Sequence, residues 1–241
     1  MKKIIMYVLS ATLVFTTLSF GIPETVQAAE RAVNTATVAK VQTLKGIRKL
    51  KNDKVKAVIL GDSIAVSQGA SDPIKNGWNK DLRRSLYKTY SNNIVWDNKA
   101  LSGVLIDYCL TRATEIESST DVVFICVGRN DRNFYTPSQF SRKYTQLIRI
   151  IKGKAPKADI FCIVEPPMVS LDESSFMGIR TAIINVSAKT GSNLIDVWSA
   201  FPKDLVDLDA FMKDGLHPND KGYKLMSNYM YDRLVKVIKT T

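Results

Sequence analysis

The chain has 241 residues, with 34 Lys and Arg against 23 Asp and Glu, a net charge of +11, one histidine and three cysteines. That length suits one domain with a substantial core. An odd cysteine count closes no disulfide framework. None of Cys109, Cys126 and Cys162 has ligand spacing to another cysteine or to His217, so neither a metal nor an organic cofactor is expected.

The first residues read as an export signal. Lys2 and Lys3 form a charged start, Ile4 to Phe20 an apolar run, Gly21 and Pro23 a break, and Val26-Gln27-Ala28 a small-residue cleavage site. An uncleaved anchor helix is the alternative, since the run nearly reaches bilayer length. The break and the cleavage site favour removal of residues 1–28 and a secreted or wall-associated protein. Cleavage takes away Lys2, Lys3 and Glu24 and leaves the mature chain at +10. Such a field favours anionic surroundings, for example a cell-envelope polymer or acidic polysaccharide. Residues 40–56 are densely basic but carry no aromatic interleaving or zinc spacing, so no nucleic-acid partner is expected. Nothing after the signal is long and apolar enough to span a membrane.

Residues 29–53 read as a basic leader ending in a docking helix, with Val41, Leu44, Ile47 and Leu50 on one face. The main domain is expected over residues 54–241. Short runs rich in β-branched residues follow at Val55–Leu60, Ile94–Trp96, Val122–Val127, Asp159–Val164 and Asn193–Val197. Each is bounded by Gly, Asp, Asn or Pro, as buried parallel strands are. Between them lie helical stripes: Trp78, Leu82 and Leu86; Ile106, Cys109, Leu110 and Ala113; Phe140, Tyr144, Leu147, Ile148 and Ile151; Phe176, Ile179, Ile183 and Val186; and Tyr223 to Ile238. Thr136, Pro137 and Gln139 form a capping box with proline at the first helical position. Repeated strand-then-helix units predict an α/β fold, a parallel sheet with helices on both faces. Functional residues then gather beyond the carboxyl ends of the strands.

Gly61-Asp62-Ser63 follows the first strand and Gly103 the second. Gly128-Arg129-Asn130-Asp131 follows the third, and Asp214-Gly215-Leu216-His217 precedes the last helix. A serine hydroxyl needs a base to become a nucleophile, and His217 is the one imidazole available. Asp214 can turn back across Gly215 to fix its tautomer. The backbone N–H groups of Ser63 and Gly103 and the side-chain amide of Asn130 are candidate oxyanion donors. Ile64, Arg129, Trp78 and Met168 are candidates for the substrate pocket, Arg129 equally for an exposed loop. Asp62 and Asp131 read as turn scaffolding rather than as a glycosidase pair.

These four blocks, in this order, resemble the signature blocks of the SGNH (GDSL-type) hydrolase superfamily, and the resemblance runs from about Val55 to the C-terminus. It implies a three-layer, flavodoxin-like α/β/α sandwich on a five-stranded parallel sheet, and ester hydrolysis through an acyl-enzyme on Ser63, His217 and Asp214. Ile64-Ala65 departs from the Leu-Ser that many members carry there. The expected protein is an exported ester hydrolase acting on short acyl or O-acetyl esters of a carbohydrate or envelope polymer. A lipase or lysophospholipase, or a silent wall-binding protein, are the alternatives.

Overall fold

The computed structural model describes residues 44–240, residue 171 excepted; the segment expected to be an export signal and most of the basic leader lie outside the described residues. Five strands, β1 (Val55–Gly61), β2 (Ile94–Asn98), β3 (Val122–Cys126), β4 (Asp159–Val164) and β5 (Asn193–Asp196), pair in parallel in the order β2-β1-β3-β4-β5. Every residue of β3 and β4 is buried, which is why they read as continuous apolar runs rather than alternating ones.

The strand alternation divides the core between two faces. Val122, Phe124 and Cys126 point to one layer, with α1 (Lys45–Arg48), α3 (Trp78–Tyr90) and α8 (Asp220–Lys239). Val123 and Ile125 point to the other, with α4 (Ile106–Ala113), α5 (Pro137–Lys154) and α6 (Glu173–Thr190). The short helices α2 (Pro73–Asn76) and α7 (Leu205–Asp209) lie in connecting segments. Helices thus cover both faces, a three-layer α/β/α sandwich. The capping box of α5 is present: Thr136 Oγ1 accepts from the Gln139 N–H, and Gln139 Oε1 accepts from the Thr136 N–H. Removing that cap would cost about 1 kcal/mol.

Within the described residues the end of the leader forms one turn of α-helix followed by a 3-10 turn, Lys49–Lys51; Val41 lies outside them. Leu44, Ile47 and Leu50 are buried in the same core as Val55, Ile94 and Ile238, so the packed domain includes residues well before 54. Asp159 Oδ2, at the start of β4, accepts from the Ile47 N–H at 2.8 Å and pins that turn to the sheet. Among the described residues, no helix is long and apolar enough to cross a membrane.

The chain runs from β1 out to β2 and then back across to β3. This reversal opens a crevice beyond the carboxyl ends of β1 and β3, the place where open α/β sheets form sites.

Candidate active site

Ser63 stands two residues beyond β1. A side chain at Gly61 would meet the Cys126 carbonyl at 2.2 Å, so only glycine lets β1 end flush against β3. The chain then closes into a tight turn, in which Val66 N–H donates to the Asp62 carbonyl and Gln68 N–H to the Ser63 carbonyl. Trp78, wholly buried, braces it from below: Nε1–H lies 3.2 Å from both the Ile64 and Ala65 carbonyls. From α8, the Tyr223 hydroxyl donates to the Gln68 carbonyl at 2.6 Å, and Asp220 accepts from the Ser71 N–H and hydroxyl. Asp220 follows His217 by three residues, so these bonds join the serine turn to the histidine loop.

That loop is itself built to hold the imidazole. Lys213 N–H donates to the His217 carbonyl at 2.8 Å, and Val169 N–H to the Gly215 carbonyl at 2.7 Å. Gly215 takes φ +79°, a left-handed turn that glycine adopts without strain, and this brings Asp214 back onto His217. Asp214 Oδ1 accepts from the backbone N–H of His217 at 2.7 Å, and Oδ2 pairs with His217 Nδ1 at 2.8 Å. Partial burial raises the Asp214 carboxyl, but the His217 backbone and ring and the Leu216 N–H outweigh it and hold it below its usual range. An ionised carboxylate accepts only, so Nδ1 carries the hydrogen and Nε2 is left as an acceptor. Ser63 Oγ lies 3.0 Å from Nε2. The sequence places Ser63 and His217 at opposite ends of the domain; the fold brings them into hydrogen-bond contact.

The two other candidate donors share this edge. Leu101 N–H donates to the Gly61 carbonyl, and Ser102 bonds Gln68 through its side chain. Asn130 Nδ2 donates to the Val104 carbonyl at 3.0 Å. Gly103 is thus bracketed by one residue tied to the serine turn and one tied to Asn130. The Asn130 amide keeps a second N–H beyond the one used on Val104.

The pocket candidates fare differently. Trp78, Ile64 and Arg129 are 0, 1 and 1% exposed. They are supports behind the site rather than its lining. Arg129 is locked inside: its guanidinium meets Glu173 at 2.5 Å, bonds the Pro166 carbonyl and lies 3.7 Å over the Phe176 ring. The variable position between Gly128 and Asn130 therefore holds a buried cation and not an acyl-pocket residue. Met168, 4% exposed against 6% for Ser63, has its sulfur 3.5 Å from Arg132. All three cysteines are buried free thiols, and no cluster of metal-ligating side chains occurs among the described residues.

One residue escaped the sequence reading. Glu165, wholly buried, follows β4 and accepts from the Arg129 N–H at 2.6 Å. Its signal was available: an acidic residue closing an apolar strand at the edge where the other blocks meet.

The profile of the GDSL-like Lipase/Acylhydrolase family matches residues 59–225. None of the curated proteins searched matches the chain. Among solved structures, a G-D-S-L family lipolytic protein from Veillonella parvula superposes with a TM-score of 0.60 at 18% identity, over 74% of this chain and 97% of that one. A two-domain esterase active on acetylated mannans gives 0.68 at 17% identity, over 80% of this chain and 52% of that one. Est24, a carbohydrate acetylesterase from Sinorhizobium meliloti, gives 0.61 at 12%, over 76% and 99%. At such identities these likenesses speak to the fold, while the family profile spans most of the domain. The chain belongs to the GDSL-like lipase/acylhydrolase family and is a carboxylic ester hydrolase.

Proposed function

We propose that the protein is an exported serine esterase that removes short acyl groups, O-acetyl above all, from a carbohydrate or cell-envelope polymer. The observation that carries the mechanism is the unbroken relay Ser63 Oγ to His217 Nε2, 3.0 Å, and His217 Nδ1 to Asp214, 2.8 Å. Ser63 gives its proton to Nε2 as Oγ attacks the ester carbonyl. The carbonyl oxygen becomes an oxyanion, stabilised by the N–H groups of Ser63 and Gly103 and the amide of Asn130. His217 then protonates the leaving alcohol, and the acyl group stays on Ser63. Water, deprotonated by the same imidazole, attacks that acyl-enzyme and frees the acid.

The substrate class is favoured by three observations. Similar folds include an esterase described as active on acetylated mannans and one described as a carbohydrate acetylesterase. The chain carries a net charge of +11 and begins with an export-type segment. Beside the histidine loop lies an open cleft of about 580 Å³ lined by Gly69, Ala70, Ser71, Lys213, Asn219, Asp220 and Lys221, two cations against one anion. An extended, anionic polymer suits such a surface better than a single acyl chain.

The test is hydrolysis of p-nitrophenyl esters of rising chain length and release of acetate from acetylated polysaccharides. Turnover is expected to be highest on acetyl esters and to fall by about 10⁴-fold or more in Ser63→Ala and His217→Ala. Undiminished hydrolysis in either variant overturns the triad, and preference for long-chain esters replaces the substrate class with a lipase-type one.

A further inference from the structure

Three carboxyls are wholly buried under the site: Asp62, Glu165 and Asp131. Each gives one oxygen to a backbone N–H. Asp62 Oδ1 accepts from Ile64 at 3.0 Å, Glu165 Oε2 from Arg129 at 2.6 Å and Asp131 Oδ1 from Ile106 at 3.0 Å. The other oxygens, Asp62 Oδ2, Glu165 Oε1 and Asp131 Oδ2, have no donor among the described residues. Asp62 and Glu165 are close enough to bond side chain to side chain. Two ionised carboxylates have no hydrogen to share and repel each other in a buried site. One proton between them turns one oxygen into a donor and satisfies both orphaned atoms.

We propose that Asp62 and Glu165 hold a single proton between them, and that this acid–carboxylate pair is the clamp that sets the spacing between Ser63 and Asn130. Asp62 immediately precedes Ser63. Glu165 holds the N–H of Arg129, which immediately precedes Asn130. The pair therefore links the residue before the nucleophile to the residue before an oxyanion donor, from the end of a third strand. Glu165 is a positioning residue: it acts on the reaction through Asn130 and Ser63. This rests on the serine-esterase reading above.

The surroundings favour keeping the proton. Burial first, and then the Glu165 charge, push the Asp62 carboxyl well above its ordinary range. Burial raises Glu165 as well, against its bond to Asp62 and the positive charges of Arg129 and Arg132. Asp131, on the loop after β3, adds negative charge. The thiols of Cys109 on α4 and Cys126 on β3 and the phenol of Tyr223 on α8 face the same cluster and are themselves raised by burial, hence neutral. Arg129 lowers Glu165 by its charge but gives the pair no side-chain hydrogen bond, since its guanidinium bonds Glu173 and the Pro166 carbonyl. Loss of the proton would set two adjacent charges against each other and loosen the clamp.

The test compares Glu165→Gln with Glu165→Leu, using Ser63→Ala as the reference for the esterase reading. In Glu165→Gln the amide oxygen still accepts from Arg129 and its N–H₂ donates to an ionised Asp62, so the clamp no longer depends on a shared proton. Its kcat on an acetyl ester is expected within about threefold of wild type at neutral pH, with the alkaline decline moved to higher pH. Glu165→Leu leaves the Arg129 N–H unpaired, and its kcat is expected to fall on the order of 10²-fold with KM nearly unchanged. Independently of activity, the infrared C=O stretch of a protonated carboxyl should be present in the wild type at alkaline pH and absent from Glu165→Gln or, if that variant does not fold, from Asp62→Asn. A pH profile of Glu165→Gln that superposes on the wild type, or a wild type without that band, overturns the clamp. Activity that survives Ser63→Ala instead overturns the reading beneath it.

Discussion

The carboxylate behind the histidine and the carboxyls beneath the serine solve opposite problems with the same chemical group. The Asp214 side chain is half exposed, at 50%, and receives three N–H donors from its own short loop, so it stays charged. Asp62 and Glu165 are wholly buried, and each receives one backbone donor. With fewer donors and full burial, charge on both is too costly, and the structure favours a neutral partner. The imidazole needs an anion to stabilise its protonated form; the serine turn needs rigid connections without added field. Donor count and solvent access separate the roles, since residue type does not.

Removing the charge where it is used should have the largest effect. Asp214→Asn keeps the size of the side chain and an oxygen for the Leu216 and His217 N–H groups. It loses the acceptor that fixes the hydrogen on Nδ1. We expect kcat to fall on the order of 10⁴-fold, with thermal stability changed by less than about 1 kcal/mol, because the group lies in a solvated loop. Steady-state kinetics beside a melting curve checks both. A wild-type-like kcat would mean His217 takes its tautomer from another contact. The folded carboxyl is depressed, so its stabilising contribution is present above the unfolded carboxylate range and is lost as pH falls through the folded value.

The serine side is broken most selectively at its brace. Trp78→Phe keeps most of the buried volume and deletes the one N–H that the Ile64 and Ala65 carbonyls share. The Ala65 carbonyl loses its donor, while the Ile64 carbonyl keeps the Ser67 N–H, at a cost of about 1–3 kcal/mol. Urea denaturation should register that loss as a lower midpoint with an unchanged slope. Stability equal to wild type would show that the turn holds without its brace.

The division between legible and illegible parts follows the same physics. β3 and β4 were readable because burial on both faces makes them nearly continuous apolar runs, and α5 because its Thr136–Gln139 cap is local in sequence. That the loops carrying Ser63, Gly103 and Asn130 meet at one edge was readable because α/β topology sends strand-end loops there. Trp78 and Arg129 were not. Polar groups on large side chains look like pocket chemistry in a sequence, and only packing shows that the indole faces two carbonyls and the guanidinium faces Glu173. Glu165 stood at a readable place, the end of an apolar strand, but its role depends on a carboxyl a hundred residues earlier in the chain. The leader's docking face, Leu44, Ile47 and Leu50, was readable from its spacing, whereas the close approach at Gly46, where a side chain would strike the Asp121 carbonyl at 1.9 Å, was not.

Asp159 lies between the two extremes and sharpens the comparison. It is almost fully buried, at 3% exposed, like Asp62; yet it accepts from the Ile47 N–H and lies near Arg48, as a charged group would. Burial prevails over those bonds, and the carboxyl is raised to about 6. A carboxyl raised above its unfolded value of about 3.9 binds its proton more tightly in the folded state. Its contribution to stability is therefore present at low pH and is lost as pH rises through about 6. Between pH 5 and pH 8 that loss should be on the order of 1 kcal/mol, or roughly 2–4 °C in Tm for a domain of this size. Asp159→Asn cannot ionise, so its Tm should fall less than that of the wild type over the same interval. Asp131, raised to about 7 chiefly by burial, has the same sign and is untouched by the substitution, so part of the pH dependence should survive. If both proteins lose the same Tm between the two pH values, Asp159 is already ionised at pH 5, and the docked leader is held by a charge in the manner of Asp214.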